Sequence, residues 1–146
     1  MIVLIHMKQK KEYVIGVSMK FIHISDIHLV SGDGPLNGCV PSDRLNKCIQ
    51  DITKWHGDAK FCVISGDLSE YAEKGAYQSL KKKLLEFQIP CFLMIGNHDD
   101  RDLFQSVFTN NPCDENKFVQ SSFETDERVF IFLDLSLIHI SEPTRP

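Results

Sequence analysis

Three short apolar runs, FIHIS, FCVIS and CFLMI, begin at Phe21, Phe61 and Cys91, and each breaks off abruptly into polar residues. All are rich in β-branched and aromatic side chains without polar alternation, which is the pattern of strands buried on both faces of a parallel sheet. Between them the period changes. Over residues 42–55, Leu45, Cys48, Ile49, Ile52 and Trp55 recur on one helical face, with Ser42 as N-cap and Gly57 as stop. Over residues 74–87, Leu80, Leu84 and Phe87 point inward and Pro90 follows, while Lys81, Lys82 and Lys83 read as the solvated face. A third, short helix is expected over residues 100–108. Residues 117–124 and 128–134 read as an antiparallel pair around a polar turn near Asp126. Strand and helix alternating with right-handed crossovers build half of a layered α/β domain.

Each apolar run leads directly into side chains that can do chemistry. Asp26 and His28 come after the first, Gly66 and Asp67 after the second, and Gly96, Asn97, His98 and Asp99 after the third. Ligands of an open α/β sheet bind in the crevice beyond the carboxyl ends of its strands. Three strands in a row therefore deliver carboxylate, imidazole and carboxamide groups to one edge, which is a metal-binding donor set. Gly66 and Gly96 stand where the chain must bend sharply beside that edge. Taken alone, an Asp or His at a strand end is usually a cap or a solvated polar group; the weight comes from the ordered set.

The order D-x-H, then G-D, then G-N-H-D resembles the calcineurin-like metallophosphoesterases, and the resemblance covers residues 19–134. It implies a four-layer αββα sandwich, of which this chain holds the first half and lacks the second. It also implies two divalent metal ions (manganese, iron or zinc), with Asp26 and His28 on the first, Asn97 on the second and Asp67 bridging both. His98 then matches the histidine beside the phosphate that stabilises charge or protonates the leaving oxygen, and Asp99 is expected to orient that imidazole. A complete member supplies further histidines, ending in a G-H-x-H block, that this chain does not contain before its last residues. The stretch GPLNGCVPSDRL from Gly34 and the run GNHDDRDLF from Gly96 look like the bacterial cyclic-nucleotide and glycerophosphodiester phosphodiesterase branch. The expected activity is hydrolysis of a small-molecule phosphodiester, such as cyclic AMP or a glycerophosphodiester, by a metal-activated water.

The chain ends alter the boundaries. Residues 135–145, within LSLIHISEPTRP, resemble one reading frame of a sequencing-library adapter, so the natural domain is expected to stop near Asp134 and His139 and Ser141 receive no role. Residues 1–18, with an apolar start and the basic run KQKK, read as an upstream extension, and Met19 suits a start. Between those ends lie 12 Lys and Arg against 18 Asp and Glu, a balance of −6, which argues against a nucleic-acid backbone as partner. No run reaches the ~18 apolar residues needed to span a membrane. The 146 residues and 42% hydrophobic content suit one globular domain. Five cysteines, odd in number and without a C-x-x-C pair, point to the reducing cytoplasm, with Cys62 and Cys91 as buried thiols.

Three other positions have plainer readings. His23, inside the first strand, is expected to be a hydrogen-bonded core histidine. His56 is expected at the surface of a helix end, where it suits the helix dipole, and Asp134 to be structural or to face the site. Two competing functions stay open: the same fold as a non-catalytic binding module, and a truncated chain that is inactive as it stands. A homo-oligomer is left open for a full-length parent.

Overall fold

A computed structural model of the chain describes residues 19–125 and 128–136, together with the backbone of a short strand, β1 (Ile2–Val3). The remainder of the expected extension, the turn at Asp126 and residues 137–146 of the expected tail lie outside the described residues.

The three apolar runs form the parallel strands β2 (Ile22–Ser25), β3 (Cys62–Ser65) and β4 (Cys91–Leu93), in the order β1-β2-β3-β4. Register places Ile22 beside Cys62 and Cys62 beside Cys91, so the three strands run in step and end at one edge. β1 adds to β2 antiparallel. The architecture is mixed α/β.

Side chains alternate across this sheet, and both faces are covered. One face, through Ile22, Ile24, Cys62, Ile64, Leu93 and Ile95, meets the helices in a core with Leu45, Ile49, Ile52, Tyr77, Leu80 and Phe104. The other face carries Phe61, Val63, Phe92 and Met94 against a two-stranded antiparallel ribbon, β5 (Ser121–Glu124) and β6 (Val129–Phe132). Phe61 sits at the centre of that contact, 5.0 Å from the Phe130 ring and 5.2 Å from those of Phe21 and Phe123. Helices, sheet and second sheet are thus three successive layers, as the first half of an αββα sandwich requires. The outer side of β6 and the residue after it carry Val129, Ile131 and Leu133 at 59%, 68% and 50% exposure, so their apolar alternation meets no covering layer among the described residues.

Several local expectations are corrected. Helix α1 (Pro41–His56) begins with Pro41 at its first turn and Val40 in the capping position, without a side-chain cap. Proline there has its φ preset and loses no hydrogen bond, so Ser42 is a buried helical residue rather than the cap. Gly57 does end the helix. Trp55 keeps the inward period but is 65% exposed, and its ring takes Lys54 Nζ at 4.6 Å from the centroid. Helix α2 (Lys74–Leu84) stops short of Phe87, and the next residues tighten into i→i−3 bonds such as Phe87 N–H to Leu84 O. Two of its three consecutive lysines are tethers: Lys81 Nζ donates to Val107 O and Lys83 Nζ to Asn46 Oδ1. Helix α3 (Arg101–Val107) is capped by Asp100, whose carboxylate accepts from Leu103 N–H.

His23 is a hydrogen-bonded strand residue as expected, its Nε2 2.6 Å from Ser65 Oγ. Cys62 is fully buried while Cys91 is half-buried. No helix among the described residues is long and apolar enough to cross a membrane.

Candidate metal centre

Beyond β2 the chain does not turn away. His28 N–H donates to Asp67 O and Leu29 N–H to Leu68 O, both at 2.9 Å, which keeps the loops after β2 and β3 side by side. To stay paired while turning, the backbone enters the left-handed region at Asp26 (φ 55°), His28 (φ 45°) and Asp67 (φ 30°) as well as at Gly66 (φ 65°). Non-glycine residues resist that region, and such strain concentrates where a fixed side-chain placement is needed. Three expected metal ligands carry it here. The third loop arrives by close contact: a Cβ on Gly96 would collide with Asp67 N and Oδ1 and lie 2.9 Å from Gly66 Cα. Only glycine lets β4's loop lie against Asp67, and that approach allows His98 N–H to donate to Asp67 Oδ1 at 2.9 Å.

The result is a cluster. Asp26, His28 and Asp67 each offer a donor atom, all within 4.8 Å of one another, and His28 Nε2 lies 3.9 Å from Asp67 Oδ2. Two carboxylates and an imidazole are the mixed oxygen and nitrogen set that suits manganese, iron or zinc. Asn97 is exposed between Gly96 and His98 on the same rim. The His98 ring stands edge-on to His28, centroids 5.3 Å apart.

Asp99 does not do what the sequence suggests. Its carboxylate turns down into the protein, accepting from Leu68 N–H, Ser69 N–H, Gly96 N–H and Tyr77 Oη–H at 2.9–3.0 Å. Instead of orienting His98 it bolts the β3 and β4 loops to α2 beneath the site. Burial pushes its pKa above the usual carboxylate range, against the pull of those four donors. The partner of His98 is the backbone carbonyl of Glu70, which accepts from Nδ1–H at 3.0 Å. That carbonyl raises the histidine's pKa; the Asp67, Glu70 and Asp99 carboxylates add to the rise and desolvation opposes it.

Glu70 is the residue that sequence reasoning missed. It joins His28 and His98 in a second group of clustered donors, with Oε2 2.7 Å from His28 Nδ1. Its one signal was position: an acid three residues after Asp67, on a loop already expected to bear ligands. Asp134 proves structural, its Oδ2 2.8 Å from Arg101 Nε and from Val119 N–H. His56 closes α1 as expected, but it is half-buried rather than at the surface.

A family profile described as calcineurin-like phosphoesterase matches residues 19–141. A Rhodopseudomonas palustris protein named as a probable cyclic nucleotide phosphodiesterase is 34% identical over 80% of this chain and 42% of its own length. A Mycobacterium tuberculosis protein named as a cAMP/cGMP dual specificity phosphodiesterase is 36% identical over 55% of this chain and 27% of its own. A Vibrio vulnificus protein named as a 3',5'-cyclic adenosine monophosphate phosphodiesterase is 25% identical over 62% and 33% respectively. The chain thus spans less than half the length of these relatives.

Proposed function

The chain belongs to the calcineurin-like phosphoesterase family, and from that premise we propose that it is the amino-terminal portion of a metal-dependent phosphodiesterase acting on cyclic nucleotides such as cyclic AMP. The observation that carries the reading is the gathering of Asp26, His28 and Asp67 donors within 4.8 Å, with the His98 imidazole beside them. The relatives' names support the substrate class.

In this reading Asp26 and His28 hold one divalent ion, Asn97 holds a second and Asp67 is shared. Bound metal supplies Lewis-acid activation of water and of the phosphoryl group. The protein's own residues do the rest. His98 keeps Nδ1 on the Glu70 carbonyl, which leaves Nε2 to donate a proton to the departing oxygen. In the metal-free site its pKa is raised, first by the Glu70 carbonyl. Asp99, beneath, fixes the two loops that carry Asp67 and His98. Five free thiols suit a reducing cytoplasm, and the acidic balance suits a small-molecule substrate over a nucleic-acid polymer.

The test is turnover of cyclic AMP, a glycerophosphodiester and an aryl phosphodiester by the full-length protein carrying this chain, loaded in turn with manganese, iron and zinc. Metal-dependent cleavage, best with the cyclic nucleotide, is expected. Inactivity with every metal would overturn the enzyme in favour of a binding module. Metal content separates the ligands: Asp67→Ala should lose both ions and Asn97→Ala mainly one.

A further inference from the structure

Glu70 touches both imidazoles of the site, once with its side chain and once with its backbone. His28 Nδ1 is buried, makes no directed hydrogen bond, and lies 2.7 Å from Glu70 Oε2. His98 Nδ1 meets Glu70 O at 3.0 Å. The Glu70 backbone is itself fixed, because its N–H donates to Leu29 O at 3.0 Å, one residue past His28. The carboxylate is 20% exposed and meets the His28 ring at Nδ1, whereas the Asp67 carboxylate faces Nε2.

We propose that Glu70 is a positioning residue that sets the tautomer of His28, holding the proton on Nδ1 so that the Nε2 lone pair faces the metal cluster. The chemistry is one of elimination. An ionised carboxylate only accepts, and so does a carbonyl. An imidazole nitrogen within hydrogen-bonding distance of such a group must carry the hydrogen, as Nδ1 is at 2.7 Å from Glu70 Oε2 and Nε2 is not at 3.9 Å from Asp67 Oδ2, and the other nitrogen is then the free donor. For His28 the free nitrogen is Nε2, 3.9 Å from Asp67 Oδ2. Carboxylates behind a ligating imidazole fix ring orientation and raise ligand basicity. Glu70 does this from the side chain while its carbonyl does the same for His98, so one residue coordinates the protonation pattern of two rings. The inference rests on His28 being a metal ligand, not on the identity of the substrate.

The experiment is nitrogen NMR of the imidazoles in the metal-free full-length protein carrying this chain, at about pH 8.5, roughly two units above the ordinary imidazole pKa. His28 is assigned by its loss in His28→Gln. Wild type should show His28 protonated on Nδ1. Glu70→Ala should shift it toward the Nε2-protonated form that free imidazole side chains prefer, and weaken zinc binding roughly ten- to a hundredfold. Glu70→Gln, whose amide oxygen still accepts, should restore the wild-type tautomer and most of the affinity. A wild-type His28 protonated on Nε2 overturns the proposal without any variant having to fold. So does a Glu70→Ala protein with unchanged tautomer and zinc affinity. An inactive full-length enzyme with the expected tautomers would sink the phosphodiesterase reading and leave this one standing.

Discussion

Asp99 and Asp134 are both buried carboxylates, and both tie distant segments to the start of α3. Asp99 precedes that helix and holds the floor of the candidate metal centre. Asp134 leaves β6 and holds Arg101, the helix's first residue, while also accepting from Val119 N–H and Ser136. They differ in the company they keep. Asp99 is surrounded by neutral donors and burial raises its pKa. At Asp134 burial pushes upward too, but the Arg101 guanidinium and the Ser136 and Val119 hydrogen bonds outweigh it, so the pKa falls below the usual range. The difference is one of placement. A cation in the floor beneath Asp67 would compete with bound metal for the same carboxylates, whereas Asp134 belongs to neither group of clustered donors and can use an arginine.

The largest expected effect comes from breaking the floor. Asp99→Ala strands three N–H groups and the Tyr77 hydroxyl without their acceptor. Buried unsatisfied donors cost roughly 1–3 kcal/mol each, so a loss of about 4 kcal/mol or more is expected in urea unfolding. A loss under about 1 kcal/mol would show that Asp99 does not bolt the loops together.

At the other node, Arg101→Leu removes the cation and leaves the Asp134 side chain, 1% exposed, with only its neutral donors. The leucine keeps some of the packing that Arg101 makes over the Phe118 ring at 4.4 Å. Charge-assisted hydrogen bonds are worth about 1.5–3 kcal/mol, so about 2 kcal/mol should be lost. The same substitution should leave zinc affinity unchanged, since the joint is not part of the metal cluster. A clear drop in affinity would erase the separation between the two nodes.

The floor was less legible in the sequence than the rim above it. Asp26, His28, Asp67, Asn97 and His98 announced themselves because strand ends are readable from apolar runs, and parallel order brings those ends to one edge. Asp99 was read with its neighbour His98 because adjacency in sequence was the only clue. Three of its four partners come from a loop and a helix 22–31 residues earlier, and no local period encodes that meeting. Glu70 escaped for the same reason. Trp55 had the right period yet is 65% exposed, which the helix's own residues do not say.

Tyr77→Phe sharpens the comparison at smaller scale. The hydroxyl donates to Asp99 Oδ1 and accepts from Asp100 N–H, each at 3.0 Å, so one atom links the floor to the cap of α3. Its removal leaves the ring packed against Phe104. A loss of about 1–1.5 kcal/mol is expected from the broken hydrogen bonds, measured by the same unfolding assay. A neutral result would mean that the three backbone donors suffice.

The smallest effect, and the one that separates the two carboxylates most sharply, is their opposite response to acid. Asp134 has a folded pKa below its unfolded value, so its stabilisation is present above the ordinary carboxylate pKa of about 3.9 and is lost as pH falls through the depressed value. Asp99 has a folded pKa above its unfolded value. Its contribution is therefore complete below about pH 3.9 and is lost as pH rises through the raised value. On acidification the first carboxylate weakens the fold while the second relieves a burial penalty. Unfolding followed from neutral pH down to about pH 3 should show the gap between wild type and Asp134→Asn narrowing toward acid, because the wild type loses what the variant never had. Asp99→Asn should do the reverse and fall away from wild type more steeply in acid, since it has no proton to gain. An Asp99→Asn profile that converges on wild type in acid would mean that the four donors outweigh burial after all, and the two carboxylates would then be the same device in two places.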